Sequence, residues 1–197
     1  MVHALSAEPW MQERSLTTEF AGKRVYQPGV IHNGHYLWLF DLSRNQWALG
    51  SSSLLDQNDL RVALGVPSDS LVNPPRFLGA NEDWVFISLS QHKDELFFPI
   101  VLAVNLATGM SREVIRGERF GGFRQATIVG DQLIISYGDG SSGSRTNLLR
   151  LNRWLDAMSA PVDELDALVE GVRTFYLGAQ YLLVVNDTGQ VQRYPLP

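Results

Sequence analysis

Four arginines stand at the head of four β-rich stretches: Arg14 before Ser-Leu-Thr-Thr-Glu-Phe, Arg76 before Phe-Leu-Gly-Ala, Arg124 before Gln-Ala-Thr-Ile-Val-Gly, and Arg173 before Thr-Phe-Tyr-Leu-Gly. Their separations are 62, 48 and 49 residues. A guanidinium is permanently charged and presents a planar fork of donors that fits a carboxylate or a phosphate. If each arginine opens the innermost strand of one of four equivalent units, the four gather at the mouth of a shared channel. Their repulsion then calls for an anionic ligand, or for carboxylates such as Glu13, Glu82, Glu118 and Asp131. The plainer reading is four surface ion pairs, each of little energetic weight.

Other chemistry is thinner. His32 and His35 flank Asn33-Gly34, where a hairpin brings the imidazoles together, but a metal wants three or more protein ligands and only His3 and His92 remain. No metal site and no cofactor are expected. The segment Gly138-Asp139-Gly140-Ser141-Ser142-Gly143-Ser144 lacks the Lys-Ser/Thr ending of a phosphate loop and reads as a hairpin tip. A Gly-x-Ser-x-Gly elbow is missing, and Asp41, Asp83, Asp139 and Asp187 make a glycosidase-like carboxylate pair only if two of them converge in space. Leu96-Phe97-Phe98-Pro99 reads as the start of a buried strand in preference to an exposed partner patch. No catalytic residue is assigned.

The chain has 197 residues, 45% of them hydrophobic, enough for a sizeable core. It has no cysteine, which removes disulfides, thiolate metal sites and cysteine nucleophiles and suits a reducing compartment. Neither a signal-peptide pattern nor an apolar run of membrane-spanning length is seen, so a cytoplasmic location away from the membrane is expected. The net charge of −5 opposes nonspecific nucleic-acid binding and favours a basic partner.

The residues above must be positioned by strands. Short apolar runs rich in β-branched and aromatic residues occur at 36–40, 84–89, 100–106, 133–137 and 181–185, each bounded by turn residues and each reading as a strand covered on both faces. Asn33-Gly34 suits a two-residue hairpin in which both central residues take positive φ, and Ala107-Thr108-Gly109 and Asp187-Thr188-Gly189 place glycine where a reversal needs it.

Self-similarity follows from two rulers. The arginines are one. The other is a set of strand ends marked by Asp41, Asn105, Asn152 and Pro195, spaced by 64, 47 and 43 residues. Both leave the longest gap between the first two units. A rival phase aligns Leu37 with Trp84, Leu133 and Tyr181, at spacings of 47, 49 and 48, and makes 36–40 a second strand where the preferred phase makes it a third. The preferred phase gives units at about 14–50, 76–116, 123–170 and 173–197 in a single domain of residues 1–197. Its first unit has strands at 14–21, 23–31, 35–42 and 46–50, and helical insertions are expected at 54–65 and 154–169. The last unit has three strands, and Val2 to Ser6 is expected to complete it.

The phrases from Phe40 to Trp47, from Val104 to Gly109 and from Asp187 to Val191 resemble third-to-fourth-strand reversals of kelch-like and quinoprotein-like β-propellers. The chain departs from both, with one diglycine, Gly121-Gly122, placed before a first strand, and no Trp-Asp dipeptide. The expected fold is therefore all-β, a four-bladed propeller-like repeat of antiparallel sheets. Half of a larger ring completed by dimerisation is the alternative, so monomer and homodimer both stay open. Such scaffolds commonly grip a protein partner. The expected function is a non-enzymatic interaction module, such as an immunity or inhibitor protein neutralising a basic toxin or enzyme, with Arg14, Arg76, Arg124 and Arg173 as the binding residues. The alternative is a lectin or small enzyme that takes a carbohydrate or anion in the channel.

Overall fold

The computed structural model describes residues 2–3, 15–16, 19–20, 23–24, 30–42, 46–53, 59–67, 75–81, 83–93, 96–138, 146–157 and 159–196. They are all-β, with one short 3₁₀ turn at Val162–Glu164 and no α-helix among them. None of their helices is long and apolar enough to cross a membrane. The chain divides into two compact units, Met1–Asp69 and Ser70–Pro197.

In the N-terminal unit, β1 (Val2–His3) pairs with β2 (Ser15–Leu16), and β3 (Glu19–Phe20) with β4 (Lys23–Arg24). Sheet I follows in chain order: β5 (Val30–His32), β6 (His35–Leu42), β7 (Gln46–Ser53) and β8 (Asp59–Pro67), all antiparallel. Asn33 and Gly34, at φ 45° and 73°, close the β5–β6 hairpin as the Asn-Gly pair predicts. That turn fixes the phase of the sheet, because β6 is then its second strand. Leu37, Trp84, Leu133 and Tyr181 accordingly all stand in second strands, as the rival phase has it, and Asp41 lies in a second strand where Asn105 ends a third. The helix expected at 54–65 is not seen: β8 occupies 59–67 and pairs with β7.

The C-terminal unit holds three sheets. Sheet II is β9 (Arg76–Asn81), β10 (Trp84–Lys93), β11 (Leu96–Asn105) and β12 (Ser111–Arg116) in order, with the short β16 (Ala160–Pro161) parallel to β12 at its edge. Sheet III is β13 (Gly122–Val129), β14 (Gln132–Gly138), β15 (Thr146–Leu151) and β17 (Asp166–Val169). Sheet IV is β18 (Val172–Leu177), β19 (Tyr181–Asn186) and β20 (Val191–Pro195). Val2–His3 pairs with Ser15–Leu16 and not with β20, whose sheet has three strands among the described residues. Among the described residues four sheets have three or more strands, beside two two-stranded ones, and none closes on itself.

The alternation of β14 shows why Leu133, Ile134 and Ile135 are apolar in succession. Leu133, Ile135 and Tyr137 join Leu78, Phe86, Phe123 and Ala126 in the core between sheets II and III, while Ile134 joins Leu148, Val172, Phe175, Leu182 and Val184 between sheets III and IV. Successive side chains point to opposite faces, so a strand between two sheets is apolar on both, and the buried Ser136 has its hydroxyl directed at the Gln125 carbonyl (3.4 Å). Contact between sheets II and III is close. A Cβ on Gly79 of β9 would lie 2.0 Å from the Ala126 carbonyl oxygen of β13, so only glycine lets these backbones meet.

The second helix, expected at 154–169, is also absent. After β15 the chain leaves sheet III, lays Ala160–Pro161 beside β12 of sheet II, makes the 3₁₀ turn and returns as β17. Trp154 anchors this excursion, 2% exposed, with its ring edge-on to Trp84 and Phe86 at 5.0 and 5.3 Å. Arg112 of β12 donates from Nη1 to the Leu155 carbonyl (2.5 Å) and from Nη2 to that of Trp154 (3.0 Å). Its guanidinium lies 5.7 and 5.4 Å from the Trp84 and Trp154 ring centres. Burial lowers the Arg112 pKa, and Asp156 acts in the opposite sense. A loosely periodic apolar pattern thus becomes an irregular strap, because Arg112 satisfies carbonyls that a helix would have satisfied within itself.

Candidate functional site

The first strands of sheets II, III and IV begin at one common end, and the connections show it. β12 ends opposite Ile100 and passes through residues 117–121 into β13, and Gly117 there packs on Tyr137 and Phe123 at the beginning of sheet III. β17 ends opposite Leu148, near the start of β15, and β18 begins after a two-residue link. We call this the leading end.

Three of the four arginines lie there. Arg76 is paired with Ser88 at the start of β9. Arg124 and Arg173 are each the extra residue of a β-bulge, between Phe123 and Gln125 and between Val172 and Thr174. A bulge leaves its extra residue out of the ladder and re-aims its side chain. All three are exposed, and among the described residues none forms an ion pair or a side-chain hydrogen bond. Arg124 and Arg173 flank a bridge between neighbouring strands. Thr174 Oγ1 donates to Gln125 Oε1 (3.0 Å), as does the Phe175 N–H (3.3 Å), while Gln125 Nε2 donates to the Phe175 carbonyl (2.6 Å). One amide side chain of β13 thus binds Thr174 and the Phe175 backbone of β18 and ties the two bulged strands together. Arg14 lies outside the described residues.

The expected compensating carboxylates separate. Glu118 is exposed at the leading end, whereas Asp131 sits in the β13–β14 turn at the opposite end, where its carbonyl accepts from the Trp154 N–H (3.1 Å). Glu13 and Glu82 lie outside the described residues. Asp83 is in the β9–β10 turn at the far end and Asp187 follows β19 at the leading end, so these two do not form an acid–base pair. Asp139 lies outside the described residues, as does the rest of its glycine-rich segment after Gly138. Among the described residues the carboxylate with a clear shift is Asp166, lowered by hydrogen bonds from Arg150 and Asn152 at the exposed edge of sheet III.

In the N-terminal unit His32 and His35 face each other directly across the hairpin, and His35 Nδ1 shares a 3.1 Å hydrogen bond with Ser51 Oγ. No group of three or more metal-ligating side chains occurs among the described residues. Phe97 and Phe98 are half-buried in β11 and Pro99 is buried, as a strand start would be.

The sequence singled out Glu118 and Gly121 of the 117–121 segment but not its role as a pinned loop. Gly117 N–H donates to the Pro99 carbonyl (2.8 Å), Glu118 N–H to Tyr137 Oη (2.9 Å), Phe120 N–H to the Phe97 carbonyl (3.0 Å) and Gly121 N–H to the Glu118 carbonyl (3.2 Å). The diglycine was the available signal. A Cβ on Gly121 would lie 1.9 Å from Tyr137 Oη, so this glycine admits the tyrosine that pins the loop.

No family model matches the chain, and no curated protein matches it. Among solved structures it is similar to the crystal structure of the computationally designed Ika4 protein, with a TM-score of 0.49 and 11% identity over 85% of this chain and 88% of that one.

Proposed function

We propose that the chain is a non-enzymatic protein-interaction module, a propeller-like repeat of four sheets that recognises its partner at the leading end. The observation that carries this reading is the trio Arg76, Arg124 and Arg173: exposed, unpaired among the described residues, and set at the starts of three packed strands, two of them on bulges. The spacing of the second strands β6, β10, β14 and β19 supports the repeat.

The net charge of −5 is a property of the whole chain, but at contact distance only groups within about a Debye length, roughly 8–10 Å, act on a partner. At the leading end the trio is cationic, so the complementary surface is acidic. Glu118, Glu170 and Asp187, also exposed there, equal the trio in number, so the end suits a partner with discrete carboxylates set against individual arginines and not a polyanion. Inhibition of a bound toxin or enzyme is the form of this function to examine first.

Purified products of neighbouring genes, mixed with the chain and analysed by size-exclusion chromatography and calorimetry, test the reading. A stoichiometric complex is expected, weakened at least tenfold when Arg76, Arg124 and Arg173 are replaced together by Glu, and weakened by salt. A complex indifferent to both changes, or no complex with any of these products, refutes it.

A further inference from the structure

Phe120 is a bulky residue in a backbone conformation that bulky residues avoid. Among the described residues four non-glycines have positive φ: Asn33, Phe120, Arg153 and Ser159. Asn33 belongs to an Asn-Gly turn, where such a φ is ordinary. Phe120, at φ 62°, is the third residue of a turn closed by the Gly121 N–H to the Glu118 carbonyl, the position at which a type II turn calls for glycine. Two glycines follow it immediately, yet the strained position holds an aromatic.

That strain secures no burial to match. Phe120 is 50% exposed. Its ring tilts against Phe97 at 6.1 Å, and the Arg119 guanidinium lies 4.3 Å from its centre. Arg119 is itself exposed, with no ion pair among the described residues, and does not use the adjacent Glu118. The backbone beneath is held at four points by Pro99, Tyr137, Phe97 and the turn itself. Strained φ values persist where the surroundings over-determine them, and they collect at ligand clamps. Arginine and aromatic residues dominate binding hot spots, and a tip fixed in advance loses little entropy on contact.

We propose that Arg119 and Phe120 form the anchor of the interface: Phe120 inserts into an apolar pocket of a protein partner while Arg119 takes a carboxylate beside that pocket. This rests on the protein-binding reading above and adds the partner's local chemistry, an apolar site next to an acidic group. The charge follows from Arg119, which has a cation to offer and no carboxylate partner among the described residues, and from Arg124, which the same chain segment presents four residues beyond Phe120.

The probe is a random dodecapeptide library displayed on phage and panned against the intact chain, with enriched peptides synthesised and titrated by fluorescence polarisation. Peptides combining Asp or Glu with neighbouring large apolar residues are expected, losing at least tenfold in affinity for Phe120→Ala and for Arg119→Gln. A Phe120→Gly variant should lose the same affinity without a fall of more than about 2 °C in thermal midpoint, since glycine relieves the strained φ. No enrichment, peptides without carboxylates, or equal binding to the variants overturns the anchor. So does a large stability loss in Phe120→Gly, which would make Phe120 a structural plug. Peptides that tolerate the Arg119 and Phe120 changes but lose affinity when Arg76, Arg124 and Arg173 are reversed sink the anchor and leave the broader reading standing; peptides indifferent to both sets sink both.

Discussion

Replacing Gly79 with alanine should drive sheets II and III apart. The added methyl would sit 2.0 Å from the Ala126 carbonyl oxygen, against an ordinary carbon–oxygen contact of about 3.3 Å, a shortfall of about 1.3 Å. The obstacle is backbone, so no side-chain rotation relieves it. Leu78, Phe86, Phe123 and Ala126 belong to one buried cluster here, and close-packed interiors have little slack to absorb the movement. Overpacking of this kind costs about 1–3 kcal/mol, and alanine's reduced unfolded-state entropy offsets only about 0.4–1 kcal/mol. A net loss of about 1.3 kcal/mol, at a urea dependence of about 2 kcal/mol/M, lowers the urea midpoint by about 0.7 M at unchanged slope. Amide exchange should quicken along β9 and β13 first. Gly122→Ala is the control, because its Cβ would meet nothing within 4 Å, and it should leave the midpoint unchanged or slightly raised. If the two variants prove equally stable, β9 and β13 do not lie back to back and the stacking argument fails.

Two further outcomes are expected. Trp154→Ala empties the joint between Trp84, Phe86 and Arg112, and should cost about 3–5 kcal/mol in denaturant unfolding; a loss below about 1 kcal/mol would show that the excursion is not anchored there. Asp166 has its folded-state pKa depressed, first by the Arg150 hydrogen bond and then by Asn152, so its contribution is present above the unfolded aspartate value of about 3.9 and is lost as pH falls through the lower folded value. Carboxyl NMR titration should place its midpoint below the ordinary aspartate range, Arg150→Gln should raise it, and an ordinary midpoint in the unaltered chain would refute the pairing.

Strands of the C-terminal unit were legible because their signals are local. β9 to β15 and β18 to β20 fall within a few residues of the apolar runs and glycine turns that mark them. The first sheet was misphased because its ruler relied on likeness between turns. Asn105 Oδ1 accepts from the N–H groups of Ala107 and Thr108 at 3.1 and 2.9 Å, and Asn186 Oδ1 accepts from those of Thr188 and Gln190 at 3.1 and 2.8 Å. The same side-chain chemistry closes a third-to-fourth reversal in one case and a second-to-third in the other, so it reports a turn and not its rank. The two expected helices failed because apolar spacing in 54–65 and 154–169 cannot reveal an edge of β7 left to pair, or an Arg112 waiting for carbonyls. The arginines were visible in sequence, but their bulges were not, since a bulge depends on how the partner strand is counted.

The excursion from sheet III has an energetic consequence. Stacked sheets that touch only their neighbours open roughly independently from the ends inward. Here the polypeptide of one sheet is stitched along the border of the one before it: Ser159 bonds to Glu113 by both its hydroxyl and its N–H, and β16 lines β12. Peeling away β12 therefore ruptures the path to β17, and sheets II and III should lose protection from solvent exchange as one block. Sheet IV, joined by a two-residue link and the Gln125 bridge, is free to open earlier, so Arg173 rides on the most yielding part of a surface whose other cations are rigidly mounted.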